Sequence, residues 1–261
     1  MNVNDISFLN LVYAFIFVGI MVVVFILKKT NLTKTFLYAS VRMTLQLILT
    51  GYVLSYIFEL NNPFMTISVY LVLYTFATFT IFKHSKIKNK KLRYLIAISQ
   101  FIGATISLFY FLIFVIKIKP WYNPQFFIPI AGMVIGNSMT GLTLSVNTFN
   151  SNFINKWEEI ECSLMLGATP KNATKTIAQN ALENSLIPTL NRMFGMGIIF
   201  LPGMMTGQIL SGVAPTTAIL YQIIIMFATF ITTAISTLIF STNVYKCYFN
   251  SRAQILDVFK E

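Results

Sequence analysis

Residues 94–116 read YLIAISQFIGATISLFYFLIFVI, twenty-three positions without one charged side chain. A helix rises about 1.5 Å per residue and the hydrocarbon core of a bilayer is about 30 Å thick, so this stretch predicts a membrane-spanning helix. Six more stretches of the same kind lie around it: residues 6–27, 36–60, 64–82, 126–149, 188–210 and 215–240. These seven segments fill most of the 261 residues, which predicts an all-α polytopic membrane bundle of about seven helices, a single transmembrane domain over residues 1–261. Composition agrees: 56% of residues are hydrophobic and 10% charged, against about 25% charged in soluble domains, and the mean hydropathy is +0.72. A water-soluble enzyme is excluded on these grounds, and the expected location is the cell membrane, crossed several times, with lipid as the surroundings.

The basic residues set the expected orientation. No Lys or Arg precedes the first segment, so it does not read as a cleaved signal, and Lys28 and Lys29 follow it directly. Placing the N-terminus outside puts segments 28–35, 83–93, 150–187 and 241–261 in the cytoplasm, and nearly all Lys and Arg with them, counting Arg192 at the entry to the sixth span. Only Lys117 and Lys119 fall outside, and Arg42 lies within the second span, as the positive-inside rule requires of seven spans with a cytoplasmic C-terminus. A net charge of +11 distributed this way is a topology signal, and with no nucleic-acid-binding signature in the chain, nucleic acid is excluded as a partner. Cys162 and Cys247 both fall in cytoplasmic segments without CxxC spacing, so neither a disulfide nor a metal cluster is expected. His84 stands alone in a basic loop and reads as a solvated side chain.

The longest polar interruption, residues 150–187, is too long for a simple turn and holds Glu158, Glu159, Glu161 and Glu183, half of all the acid. Residues 157–166 lack Pro and Gly and carry Glu near their start, where it favours the helix dipole. Gly167 can end that helix, and Thr169-Pro170 can start another, with Thr as N-cap and Pro at a position that needs no N–H. Ala173, Ile177 and Ala181 then form one stripe at helical spacing. A short helix, a small-residue break at Gly167-Ala168 and a second helix returning to the bilayer make a compact knob. Such a knob suits docking of a partner; an interfacial helix pair that only ties two spans together has the same pattern.

Glu161-Cys-Ser-Leu-Met-Leu-Gly167-Ala168 resembles the Glu-Ala-Ala-x-x-x-Gly loop of ABC transporter permeases, with the same spacing of Glu to Gly. Cys162-Ser163 stand where that loop has two Ala, and Gln179-Asn180 where it has Leu-Pro. A more specific likeness lies in four strings taken in order: Ile128-Pro-Ile-Ala-Gly-Met-Val-Ile-Gly-Asn-Ser-Met139, Leu166-Gly-Ala-Thr-Pro170, Leu186-Ile-Pro-Thr-Leu-Asn191 and Leu201-Pro-Gly-Met-Met-Thr-Gly-Gln-Ile-Leu-Ser-Gly212. Together they resemble the Fet-type iron-export permeases of bacteria and their plant aluminium-sensitivity relatives. The resemblance implies a half-transporter that pairs with a separate cytoplasmic ABC ATPase and moves metal ions such as iron outward; one chain of seven spans is small for such a path, so a homodimer with two ATPases is expected. In that reading Glu158, Glu159, Glu161, Gly167, Ala168, Thr169 and Pro170 dock the ATPase.

The residues themselves add to this. The Gly-x4-Gly spacings at Gly136/Gly141 and Gly207/Gly212 are followed by Leu142-Thr143 and Val213-Ala214 rather than Lys-Ser/Thr, so the chain has no Walker A loop, and no cofactor is expected on it. ATP with Mg would belong to the partner subunit. Gly132/Gly136 and Gly203/Gly207 lie in spans, where missing side chains let helices approach. Beside them Asn137, Ser138, Met204, Met205 and Gln208 are candidates to line a path, Pro202-Gly203 a hinge, and Asn191-Arg192 a link from the knob to the bundle. Thioethers suit soft metals and also fill packing gaps, so the metal ligands stay unknown. Arg42 reads as a topology anchor one turn from Gln46, and Glu59 and Asp5 as solvated acids at the outer side. A gradient-driven secondary transporter is the rival reading, although no Asp or Glu lies mid-span and no inverted repeat is visible. The other rival is a membrane scaffold whose loop recruits a cytoplasmic protein.

Overall fold

The computed structural model describes residues 8–30, 32–87, 89–250 and 252–256; Asp5 and the end of the expected C-terminal segment lie outside them. The described chain is nearly all helix and falls into two compact units, Met1–Asn61 and Asn62–Glu261. The first holds α1 (Phe8–Leu27) and α2 (Thr33–Leu60), joined by a short turn and packed through an edge-on contact of Phe25 with Phe36 at 5.5 Å. Ser40, Thr44 and Thr50 of α2 turn their hydroxyls back onto carbonyls four residues earlier, which removes unpaired donors from an apolar helix.

The second unit contains α3 (Pro63–His84), α4 (Lys90–Tyr110, continued by a π-helical turn Phe111–Val115), α5 (Pro124–Asn155), α6 (Trp157–Met165), α7 (Pro170–Ala173), α8 (Lys175–Gly195), α9 (Gly203–Leu210), α10 (Pro215–Asn243) and α11 (Tyr245–Tyr248). Asn62, Asn89 and Asn123 each cap a helix by accepting a hydrogen bond from the amide two residues on, and Pro63, Pro124 and Pro215 sit at first-turn positions that need no amide. Five helices are long and apolar enough to cross a membrane: Thr33–Leu60, Pro63–His84, Lys90–Val115, Pro124–Asn155 and Pro215–Asn243; Val12–Leu27 is a shorter apolar helix. The protein is a multi-pass membrane protein.

α10 is the centre of this unit, packed against α4, α5, α8 and α9. Its inward face is a run of hydroxyls, with Thr229, Thr232, Thr233, Ser236 and Thr237 all buried, and Thr232, Thr233 and Thr237 bond carbonyls of their own helix. Small side chains at these places let neighbours come close. A Cβ added at Gly103 of α4 would collide with Ser236 Oγ, and one at Gly141 of α5 with Thr233 Cγ2.

Residues 188–210, expected as one span, are not one helix. Pro188 lies inside α8, which runs on to Gly195; an irregular turn follows, and α9 starts only at Gly203. The cause is local: Gly197 takes φ +85°, a left-handed conformation that ends helical hydrogen bonding, and the extended Pro202 begins α9 from outside. Gly195 and Phe200 close the turn through amide bonds from Ile199 (2.9 Å) and Phe200 (3.0 Å) to the Gly195 carbonyl. α3, α5 and α10 run past their expected ends, α5 furthest, reaching Asn155 rather than residue 149, whereas α1 and α2 stop at the expected Leu27 and Leu60.

Candidate functional site

The polar interruption at 150–187 folds as a knob standing on the end of the bundle. Lys156 breaks the helix and α6 leaves at once, with Glu158 and Glu159 in its first turn where carboxylates complement the positive helix end. Its apolar side is anchored by Ile160, 1% exposed, in a cluster with Phe149 and Phe153 of α5, Ile177 and Ala181 of α8, and Tyr248 of α11. Rings tighten this anchor: Phe153 lies 4.6 Å from Tyr248 and 6.0 Å from Trp157. Burial pushes the Tyr248 hydroxyl far above the usual phenol range and the Cys247 thiol beside it up to about 11.

The outer side of the knob is open. Glu158, Glu159, Glu161 and Cys162 are exposed, and on this face an ion pair joins Lys156 Nζ to Glu159 Oε2 at 3.3 Å. Met165 and Leu166 stand 80% and 84% exposed at the far tip. Gly167 takes φ +91° and closes α6, with its amide on the Leu164 carbonyl at 3.0 Å. Ala168 is half-buried, and Thr169 Oγ1 caps the next turn by accepting from Asn172 N at 3.4 Å, with Pro170 at the first position. Ala173, Ile177 and Ala181 then lead α7 and α8 down into the core cluster, as their spacing predicts. Removing the cap hydroxyl in Thr169→Ala is expected to loosen the knob by about 1 kcal/mol. Faster proteolytic nicking between α6 and α8, with the bundle's melting midpoint unmoved, is the check.

A second wall of the knob has no counterpart in the helical reading. After α11 the chain turns back on itself, with Phe249 and Ile255 forming an antiparallel bridge and the Leu256 amide on the Tyr248 carbonyl at 2.9 Å. Between this turn and α6 lies a cavity of about 560 Å³, lined by Trp157, Glu161, Leu164 and Met165 on one side and Asn250, Gln254 and Ile255 on the other. The short polar run after a long apolar helix gave no periodicity from which it could be found.

Five of the nine candidate path and hinge residues meet at the broken segment. A cavity of about 350 Å³ is lined by Asn137 of α5, Arg192 of α8, and Pro202, Gly203 and Met204 at the start of α9. Arg192 Nη2 donates to Asn137 Oδ1 at 2.6 Å and to Thr189 Oγ1 at 3.3 Å, while Asn137 Nδ2 donates to the Met133 carbonyl at 2.7 Å. The cavity also takes in Met133, Met196, Met226 and Gln222, which lie on three different helices or turns and share no motif. Other candidates lie elsewhere: Ser138 is buried and donates to the Ile135 carbonyl at 3.1 Å, Asn191 is exposed outside the lining, and Met205 and Gln208 are half-buried outside it. Among the described residues no group of three or more His, Cys, Asp or Glu is placed to hold a metal ion, and Cys162 and Cys247 are free thiols. Arg42 lies 6.0 Å from the ring of Tyr38 on its own helix.

The family described as "Uncharacterised protein family (UPF0014)" matches residues 8–249. The UPF0014 membrane protein slr1647 of Synechocystis is 38% identical over 226 residues, 87% of each chain. The probable iron export permease protein FetB of Escherichia coli is 33% identical over 257 residues, 98% of this chain and 97% of that one. The protein ALUMINUM SENSITIVE 3 of Arabidopsis thaliana is 33% identical over 199 residues, 76% of this chain and 71% of that one. No solved structure matches.

Proposed function

This chain belongs to the UPF0014 family, and on that premise we propose that it is the permease subunit of an ATP-driven ABC transporter that exports metal ions, iron first among them. The substrate part of the proposal is supported by the name of the Escherichia coli relative, which the chain matches nearly end to end. The ABC part is carried by one observation: α6 is a nine-residue helix with a buried apolar root and an exposed acidic face, joined through one core to the ends of the long helices. A helix so placed passes a push from a cytoplasmic protein into the bundle. In this reading Glu158, Glu159 and Glu161 meet basic groups of the ATPase, and Gly167-Ala168 lets it approach closely. ATP and Mg stay on that subunit. Two copies of the permease domain, with two ATPases, make the transporter.

The mechanism is alternating access. Closure of the ATPases displaces α6; α5 and α8 share its core, and both carry residues of the inner cavity, Asn137 and Arg192. The turn between Gly195 and Gly203 takes up the motion, because it holds few helical hydrogen bonds to break. Mild-detergent purification of the tagged protein from its native membrane, with mass spectrometry, tests the reading. One ABC ATPase per chain is the expected result. No ATPase, even after crosslinking through a Glu161→Cys variant, would leave a gradient-driven carrier or a scaffold. Glu161→Lys is expected to cut substrate-coupled ATP hydrolysis about tenfold or more while the chain still folds, since reversing a charge at a contact costs several kcal/mol. Unchanged hydrolysis and unchanged retention of the partner would remove Glu161 from the interface.

A further inference from the structure

The inner cavity carries a positive charge and no negative one. Its lining includes Arg192 and four methionines but no Asp, Glu, His or Cys. Arg192 is exposed to the cavity, and only its Nη2 is engaged, by Asn137 and Thr189; its Nε and Nη1 donors bond none of the described residues. α9 adds to this charge. Its N-terminal residues Pro202, Gly203 and Met204 line the same space, no side chain caps it, and the amides of a helix's first turn carry a partial positive charge. A Cβ at Gly203 would meet nothing within 4 Å, so a ligand can approach that backbone.

Gln222 of α10 supplies an independent sign. It lines the cavity, is 8% exposed, and its side-chain amide bonds none of the described residues. Its amide thus keeps its donors and acceptor available to a ligand in the cavity. A guanidinium, a bare helix start and a free amide around a cavity of about 350 Å³ make an acceptor-binding cradle with an apolar, polarisable wall. The same set disfavours a bare iron ion. Hard and intermediate cations need carboxylate, imidazole or thiolate ligands, and the guanidinium repels them.

We infer that this cavity binds an anion and, resting on the export reading above, that the metal crosses it as an anionic complex with a small polycarboxylate rather than as a bare cation. Carboxylate oxygens of the complex pair with Arg192, the first amides of α9 and Gln222, while the methionines pack on its carbon skeleton.

The test uses the full-length protein, with whatever ATPase co-purifies, reconstituted in lipid nanodiscs. Equilibrium binding is measured with three probes: ferric citrate, citrate alone, and ferrous ion under reducing conditions. Ferric citrate is expected to bind, and Arg192→Gln to weaken it about tenfold or more, as loss of a charge-assisted hydrogen bond does. Arg192→Lys, which keeps the charge, is expected to retain most of the affinity, and Gln222→Leu to lose about threefold or more without touching any charge. Ferrous ion that binds where ferric citrate does not, or binds more tightly in Arg192→Gln, would overturn the inference. Citrate binding as tightly as ferric citrate with no iron retained would support the anion site and overturn the metal complex as its cargo. Retention of the ATPase, scored in the same preparations, answers for the export reading separately: a retained ATPase with no ferric citrate binding sinks the anion alone.

Discussion

An Ile160→Asp variant is expected to lose its cytoplasmic partner almost completely while the long helices stay folded. Ile160 is the one α6 side chain fully inside the cluster, 1% exposed against Phe149, Phe153, Ile177 and Tyr248. Burying a carboxylate among these rings and aliphatic side chains costs several kcal/mol, so the helix leaves the cluster instead. Once detached, nine residues cannot hold helical form in water, since isolated helices below about 12–15 residues are marginal. The acidic face then has no fixed geometry to present. The effect is expected to exceed that of Glu161→Lys, which removes one contact and leaves the helix in place. Measuring ATPase retained per chain, beside the melting midpoint of the bundle, separates docking from folding; Ile160→Val should behave as the parent. If Ile160→Asp retains the partner in full, α6 is not the docking element.

The second large effect is expected in the membrane core. In Gly103→Val the new side chain would lie against Ser236, whose backbone N and Cα are only 2.9 and 3.1 Å from the position of a Cβ. Backbone cannot rotate away as a side-chain tip can, so α4 and α10 must separate over several turns. Overpacking of this sort costs about 1–3 kcal/mol where side chains yield, and more where backbone is struck. Gly141→Val meets the methyl group of Thr233, with the Ser185 carbonyl at 3.5 Å, and is expected to be milder because Thr233 can give. Thermal unfolding in detergent should rank Gly103→Val below Gly141→Val, and both below the parent. Equal midpoints for Gly103→Val and the parent would show that α10 does not seat on α4 as described.

Much of the knob was legible because its signals are local. The acidic first turn, the glycine stop, the Thr-Pro restart and the stripe of Ala173, Ile177 and Ala181 each act within a few residues. The broken helix was harder to read. Residues 188–210 are apolar enough to average as a span, yet what interrupts them is the left-handed Gly197 and the extended Pro202, and an average over a window does not register single dihedral angles. Pro202-Gly203 did stand out as an interruption of the span, because two helix-breaking residues adjoin there. The cavity was legible only in part. Asn137 and Met204 stood near small-residue spacings and Arg192 at the link from the knob to the bundle, whereas Met133, Met196, Met226 and Gln222 come together only through helix packing. The C-terminal turn against α6 depends on the pairing of Phe249 with Ile255 and on the aromatic anchor beneath it, neither of which has a repeat to announce it.

α10 has a further consequence for how this chain can change over evolutionary time. Ser236 must face α4 at Gly103 while Thr233, one turn away, faces α5 at Gly141. Adding or deleting a single residue between positions 229 and 241 would swing everything beyond it by about 100°. An insertion ahead of Ile235 would put that isoleucine where Ser236 now meets Gly103, and would turn Thr237 to the exposed position that Leu238 now holds. Relatives of this protein are therefore expected to differ inside α10 by substitution alone, and to gain or lose residues in the connections at either end. Aligning many of them, and counting gaps by position, would show whether that helix is kept at one length.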